Sequence, residues 1–134
     1  MRALATGGAG CIGSNLVDAL VADGHEVAVL DDVSTGFAEN LRSDVPLFRG
    51  DVADEALMAE ATAGVDVVFH QAAHRAVLRS VEHPLTTDTA NTHGTLNVLK
   101  AALDNGARRV VYASSSSVYG GAEQMPTPES APTL

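Results

Sequence analysis

The 134-residue sequence contains little cysteine, little positive charge and no long apolar run. A single cysteine excludes an intrachain disulfide and is typical of a reducing compartment, so we expect a cytoplasmic protein. Only 8 basic residues face 17 acidic ones, a formal net charge of −9, which disfavours nucleic acid or an anionic membrane as the main partner. No run approaches the length of a membrane span, and no signal peptide pattern is found. The length suits one domain.

Short β-rich runs alternate with helical patterns along the chain, which is typical of a parallel sheet with crossover helices. The predicted strands are 2–6, 26–31, 46–50, 65–70 and 108–113, and the predicted helices are 11–23, 54–63 and 84–105. The strands are almost continuously apolar, which indicates burial on both faces. With right-handed crossovers, this pattern predicts an α/β fold, a Rossmann-like doubly wound parallel sheet of about five strands in the order 3-2-1-4-5. Another three-layer α/β arrangement is the alternative.

The segment T-G-G-A-G-C-I-G, residues 6–13, joins the first strand to the first helix. It contains two glycine spacings, Gly8-x-Gly10-x-x-Gly13 and Gly7-x-x-Gly10-x-x-Gly13. Glycines permit a tight turn and let the backbone approach a pyrophosphate, which binds at the N-terminus of a helix. An ordinary flexible turn is the alternative, but the strand–turn–helix context favours nucleotide binding.

Asp31 ends the second strand, 18 residues after Gly13, where such folds carry the acid that binds ribose. A carboxylate there accepts a hydrogen bond from the adenosine 2′-hydroxyl and repels a 2′-phosphate. No Arg or Lys lies between Asp31 and Leu41 to bind that phosphate, so we predict NAD rather than NADP as the cofactor. The alternative is that Asp31 or Asp32 only caps the next turn, which suits Asp32 better.

Ligands of these sheets bind beyond the carboxyl ends of the strands. Asp51, after the third strand, either accepts from an adenine amino group or caps a turn, and both interpretations are equally supported. His70 and His74 lack a third ligand, so we predict no metal site. Cys11 is interpreted as a backbone-contact residue rather than a nucleophile. The serine run 114–117 is a loop by composition, but its position beside the expected nicotinamide favours contact with a substrate hydroxyl.

Six stretches of the sequence together carry a resemblance to a known family. They are T-G-G-A-G-C-I-G-S, V-L-D-D-V-S-T-G, G-D-V-A-D, V-F-H-Q-A-A, N-T-H-G-T-L-N-V-L and Y-A-S-S-S-S-V-Y-G. These stretches resemble the extended short-chain dehydrogenase/reductase superfamily, and within it the NAD-dependent nucleotide-sugar epimerase/dehydratase family. They occur in the order and spacing of the family across nearly the whole chain. The similarity is strongest to 4-epimerases of the UDP-glucose and UDP-N-acetylglucosamine type.

The resemblance implies a bound NAD that oxidises the sugar 4-hydroxyl transiently and then reduces the other face. The substrate would be a nucleotide sugar, a UDP-hexose or a UDP-N-acetylhexosamine, contacted by Ser115 and Ser117, and Ser115 would be the catalytic hydroxyl. The family also implies a homodimer, formed partly through the helix predicted at 84–105. The implied cofactor-binding residues are Gly7, Gly10, Cys11, Ile12, Gly13, Asp31, Asp32, Ser34, Gly36, Asp51, Val52, Gln71, Ala72, Ala73, Arg75 and Asn91.

The catalytic Tyr-x-x-x-Lys pair of the family is expected beyond Leu134. Both tyrosines of this sequence, Tyr112 and Tyr119, follow the only lysine, Lys100, so no such pair can be formed from them. We therefore expect the N-terminal portion of such an enzyme, truncated before its catalytic helix, and no epimerase activity from this chain alone.

On this interpretation, 1–120 is an incomplete NAD-binding Rossmann domain and 121–134 is a loop that leads to the missing helix. Two alternatives remain. A non-catalytic NAD-binding module would explain the missing pair without truncation. A 4,6-dehydratase is disfavoured, because Ser116 and Ser117 stand where those relatives carry Asp-Glu.

Overall fold

One parallel sheet organises the chain. The structure, a computed structural model, describes residues 1–121 and 124–133. The strands are β1 (Arg2–Thr6), β2 (Glu26–Asp31), β3 (Leu47–Arg49), β4 (Val67–His70) and β5 (Arg109–Tyr112). They are paired in the order β3-β2-β1-β4-β5, and every pairing is parallel. The predicted α/β fold class, the Rossmann-like topology and the strand order are thereby confirmed.

Helices cover both faces of the sheet. Successive residues of a central strand point to opposite sides, so an apolar strand presents apolar side chains on both faces. On one side, Ala3 and Ala5 of β1 pack with Val17 of the first helix. On the other side, Leu4 packs with Met58 and with the last α-helix. The helices are α1 (Cys11–Ala22), α2 (Glu55–Ala61), α3 (Val77–Glu82), α4 (Pro84–Asp88) and α5 (Gly94–Asp104), with 3₁₀ turns at Ala38–Asn40 and Ser116–Tyr119.

The single helix predicted over 84–105 is wrong in detail. A π-helical turn, Thr89–His93, separates α4 from α5. Its Asn91 side chain bonds to the backbone of a distant loop, a contact that the helical periodicity does not report. Helix α3 was not predicted, because all six of its residues lack burial and its N-terminus has no side-chain cap. His83 separates α3 from α4, since the residue before a proline avoids the α conformation.

Several strands and helices are shorter than predicted. Strand β4 begins at Val67 rather than at 65, because Val65 N–H closes the turn after α2 by donating to Thr62 O. Helix α2 begins after Asp54, whose Oδ1 accepts from Leu57 N–H at 3.0 Å.

The last predicted segment is a loop at 121–134. Of its residues, Ala122, Glu123 and Leu134 lie outside the described part of the chain, and the described remainder forms no helix or strand. Strand β5 lies at the edge of the sheet and is poorly covered, with Tyr112 60% exposed. Within the described ranges, no helix is long and apolar enough to cross a membrane.

Candidate functional site

The glycine loop between β1 and α1 is shaped by contacts that leave no room for side chains. Gly7 has a φ of +71°, and a Cβ atom there would lie 2.6 Å from the backbone nitrogen of Ala72. A Cβ atom on Gly13 would lie 2.7 Å from the Cα atom of Gly8. Both positions therefore require glycine. The loop stays thin, which suits a backbone that approaches a phosphate.

Helix α1 begins at this loop with N–H groups that lack a side-chain cap. Gly10 precedes the helix and provides no capping bond, and the first turn has no acidic residue. The first N–H groups of a helix have no partner within it, and the helix dipole adds positive potential there. Cys11 and Ile12 are exposed at this start. The arrangement suits a diphosphate, so these residues fit the dinucleotide predicted from the sequence.

Asp31, the last residue of β2, joins the glycine loop to the strand end. It is 8% exposed, its Oδ2 accepts from Ala9 N–H at 2.9 Å, and its Oδ1 accepts from Val33 N–H at 2.8 Å. Each carboxylate oxygen has a second lone pair, so a ribose hydroxyl can still donate to it. The carboxylate thus combines a structural role with the capacity for the predicted ribose contact.

The two residues after Asp31 form a tight turn. Asp32 is exposed, and its Oδ1 accepts from the N–H of Ser34 at 2.9 Å and from its hydroxyl at 2.7 Å, the capping role that suited it best in the sequence. Val33 has a φ of +58°, a conformation that costs an L-residue about 1–2 kcal/mol. Its N–H bond to Asp31 stabilises this conformation. No sequence signal marks Val33 as strained.

The loop after β2 folds over the glycine loop. A Cβ atom on Gly36 would lie 2.5 Å from the Ala9 carbonyl oxygen. The same oxygen accepts from Phe37 N–H at 3.2 Å and from Asn40 Nδ2 at 2.9 Å. Sequence reasoning missed Asn40, since its partner lies 31 residues away. The loop forms a shallow cleft of about 390 Å³, lined by residues 33–39 and Arg49.

The turn after β3 is anchored to α5. Asp51 is exposed and its Oδ1 accepts from Ala53 N–H at 2.9 Å, so it caps this turn, and its contact with adenine stays a prediction. Val52 is 5% exposed, and its carbonyl accepts from Asn97 Nδ2 at 2.7 Å. Gly94 lies against the Val52 side chain, where a Cβ atom would be 2.5 Å from a methyl carbon. This contact accounts for a glycine at the start of α5.

The loop after β4 is held by Asn91. The Oδ1 of Asn91 accepts from His74 N–H at 2.8 Å, and its Nδ2 donates to the His74 carbonyl at 2.9 Å. Asn91 therefore anchors the loop, and its predicted cofactor contact stays a prediction. The anchored loop carries the predicted cofactor residues Gln71, Ala72, Ala73 and Arg75.

His70 ends β4 and is 2% exposed. Its Nδ1 is hydrogen-bonded with Thr6 Oγ1 at 2.7 Å, and its Nε2 with Thr95 Oγ1 at 2.9 Å. Burial lowers the pKa of His70, so the ring is neutral at physiological pH. Both ring nitrogens are thus engaged within the protein. Across residues 1–121 and 124–133, no three His, Cys, Asp or Glu side chains are grouped as a metal site.

Ser115 lies just beyond β5, at the start of a 3₁₀ turn. Its Oγ accepts from Ser117 N–H at 3.1 Å and donates to Ser117 Oγ at 3.1 Å, and both side chains are exposed. Strand β5 runs parallel to β4, so these hydroxyls lie at the carboxyl-terminal end of the strands, where the glycine loop also lies. Their catalytic and substrate-binding roles stay predictions.

Three of the predicted segments are in direct contact. The glycine loop contacts Ala72 through Gly7, and it contacts both Asp31 and Gly36 through Ala9. The turn after β3 is joined to this cluster by Gly50 N–H, which donates to the Asp31 carbonyl oxygen at 3.1 Å, and the serine run follows β5 at the same end of the strands. The structure therefore assembles a continuous cradle from the ends of β1, β2 and β4.

A comparison with known families supports this interpretation of the cradle. The model of the NAD dependent epimerase/dehydratase family matches residues 3–134. The chain belongs to this family. NAD is accordingly the cofactor of the family, which confirms the resemblance and the cofactor predicted from the glycine loop and Asp31.

Several known nucleotide-sugar enzymes are similar to this chain over most or all of its length. UDP-glucose 4-epimerase from Mycolicibacterium smegmatis is 45% identical over 141 residues, which cover 98% of this chain and 44% of the relative. UDP-N-acetyl-alpha-D-glucosaminuronate decarboxylase from Bacillus cytotoxicus is 40% identical, covering 89% of this chain and 38% of that protein. The crystal structure of UDP-glucose 4-epimerase from Thermus thermophilus, in complex with NAD, has a TM-score of 0.89 and 41% identity, covering 100% of this chain and 44% of that one. The chain therefore spans less than half the length of these relatives.

Proposed function

We propose that this chain is the NAD-binding part of a nucleotide-sugar 4-epimerase. The observation that carries the proposal is the glycine cradle, which places the uncapped start of α1 beside the Asp31 carboxylate. NAD, when bound, would accept a hydride from C4 of a UDP-sugar and return it to the other face of the ring. The identity of 45% to a UDP-glucose 4-epimerase supports this reaction over others.

The cradle residues would divide the cofactor between them. The diphosphate would bind at Gly7, Gly10, Gly13 and the N–H groups of Cys11 and Ile12. The adenosine ribose would bind beside Asp31, Asp32, Ser34 and Gly36, and the adenine beside Asp51 and Val52. The remainder of the cofactor would follow Gln71, Ala72, Ala73, Arg75 and Asn91.

Ser115 would hold the substrate oxygen at which oxidation occurs. Its hydroxyl is exposed and bonds only within its own turn, to Ser117, so both side chains can rotate toward a sugar hydroxyl. A proton must leave that hydroxyl as the hydride is transferred, and a serine with no adjacent base is a poor acceptor. Because both tyrosines follow Lys100, this sequence cannot supply the Tyr-x-x-x-Lys pair of the family, and we propose that the chain alone is inactive.

Two measurements on the purified chain test the proposal. Isothermal titration with NAD should show one binding site per chain, and incubation with NAD and UDP-glucose should yield no UDP-galactose. Failure of the folded chain to bind NAD would refute the proposed function. Turnover would refute only the predicted inactivity.

The second candidate is a non-catalytic NAD-binding module, in which the cradle would bind NAD without a catalytic Tyr-x-x-x-Lys pair. The coding sequence after Leu134 separates the two, since Tyr-x-x-x-Lys there supports an enzyme and an in-frame stop supports a module. The decarboxylase relative shows that similar sequences occur in another nucleotide-sugar enzyme. A 4,6-dehydratase stays disfavoured by the serines at 116 and 117.

A homodimer and a cytoplasmic location stay predictions. The outer face of α5 carries exposed leucines, Leu96, Leu99 and Leu103, which suit the helix-mediated pairing expected from the resemblance. Size-exclusion chromatography with light scattering measures the association state directly.

A further inference from the structure

We propose that His70 is a positioning residue for the dinucleotide site: its ring, bonded to Thr6 and Thr95, fixes the end of β4 against the end of β1 and against α5. The inference rests on the proposed binding of NAD. It assigns a role to a buried histidine that does not itself contact the expected ligand.

The parallel register brings these side chains together. Thr6 pairs with His70 across β1 and β4, and His70 pairs with Tyr112 across β4 and β5. The rings of His70 and Tyr112 lie 5.7 Å apart between centroids. Thr6 is fully buried, and Thr95 reaches the ring from α5. His70 therefore connects two neighbouring strands and one helix at the last rung of the sheet.

This rung lies directly beneath the glycine cradle. The residue after Thr6 is Gly7, whose backbone lies against that of Ala72. Ala72 N–H also points to Thr6 Oγ1, at 3.4 Å, so one hydroxyl contacts both the ring and the binding loop. A hydroxyl can donate and accept at once, which permits both contacts. Loss of this hydroxyl should shift the Ala72 backbone relative to the glycine loop.

Binding and stability must be separated to test the role. Thr6→Val removes the hydroxyl bonded to His70 Nδ1, and Thr95→Val removes the hydroxyl bonded to Nε2. Both substitutions change the shape of the side chain little. Thr62→Val is the matched control, because Thr62 is equally buried and donates to Met58 O at 2.7 Å, but follows the C-terminal end of α2 at the opposite edge of the sheet. NAD affinity is measured by isothermal titration, and the melting temperature by circular dichroism.

Thr6→Val should weaken NAD binding about tenfold, the equivalent of one buried hydrogen bond. Thr62→Val should lower the melting temperature about as much as Thr6→Val does, but it should leave the NAD affinity within about twofold of the wild type. Thr6→Ser, which keeps the hydroxyl, should restore the affinity. Equal affinities for wild type and Thr6→Val, or equal weakening by Thr62→Val, would overturn the inference.

Two further outcomes are informative. If Thr6→Val does not fold, Thr95→Val decides, since its hydroxyl lies farther from the cradle and its loss should weaken NAD binding about threefold; an unchanged affinity overturns the inference. If the wild-type chain binds no NAD, the proposed function fails and this inference fails with it.

Discussion

Replacing Asp31 with alanine should destabilise the chain as well as weaken NAD binding. The carboxylate holds two backbone N–H groups, and that of Ala9 belongs to a fully buried residue. Leaving the buried Ala9 N–H without an acceptor costs about 1–3 kcal/mol of stability, and loss of the partly exposed bond to Val33 adds about 1 kcal/mol. We therefore expect a loss of about 3 kcal/mol in the free energy of unfolding.

Urea denaturation measures this loss, and titrations with NAD and NADP measure the effect on binding. Both affinities should fall, but that for NAD should fall more, because the charge that repels a 2′-phosphate is gone. Asp32→Ala is the control, since the exposed Asp32 bonds only to Ser34 in its own turn. If both variants are equally stable, the reasoning about Asp31 is refuted. An unchanged ratio of the NADP and NAD affinities would refute its role in cofactor choice.

Three further predictions concern the cradle and the elements packed beside it. Gly13→Ala should lower the melting temperature strongly, because its Cβ atom would overlap the loop, whereas Gly10→Ala should stay folded and lose NAD affinity by titration; equal stabilities would contradict this. The free energy of unfolding should fall as the pH drops below about 6.5, because burial lowers the pKa of His70 and the unfolded chain binds the proton more tightly. His70→Asn should flatten that slope in urea titrations at several pH values, and an unchanged slope would contradict the assignment. Asn97→Ala should cost about 1–3 kcal/mol in urea denaturation by orphaning the Val52 carbonyl, and an unchanged midpoint would contradict this.

The fold was predictable because its signals are local. Apolar runs mark each strand, and glycine marks the end of α1 and of α5. The break in the long helix was not predictable. Asn91, within the π-helical turn, bonds to the backbone of His74, and a partner 17 positions away leaves no trace in helical periodicity.

The parts of the candidate site that sequence reasoning reaches are those with local signals. The glycine loop and Asp31 are recognised by spacing along the chain, since the strand–turn–helix geometry fixes where each must lie. The supporting residues are fixed by strand register instead. Thr6 and His70 meet only because β1 and β4 pair, and the left-handed conformation of Val33 depends on the Asp31 carboxylate.

The central position of β1 has a consequence for how the chain is made. Thr6 and His70 are 64 residues apart, so during synthesis β1 waits for β4, one of its two neighbours. At about 5–20 residues per second, that delay is roughly 3–13 s. Throughout it, one hydrogen-bonding edge of β1 stays unpaired, a condition that favours chaperone capture and aggregation. Contacts of such long sequence separation also slow refolding in vitro, since the chain between β1 and β4 must close into a loop before these two strands pair.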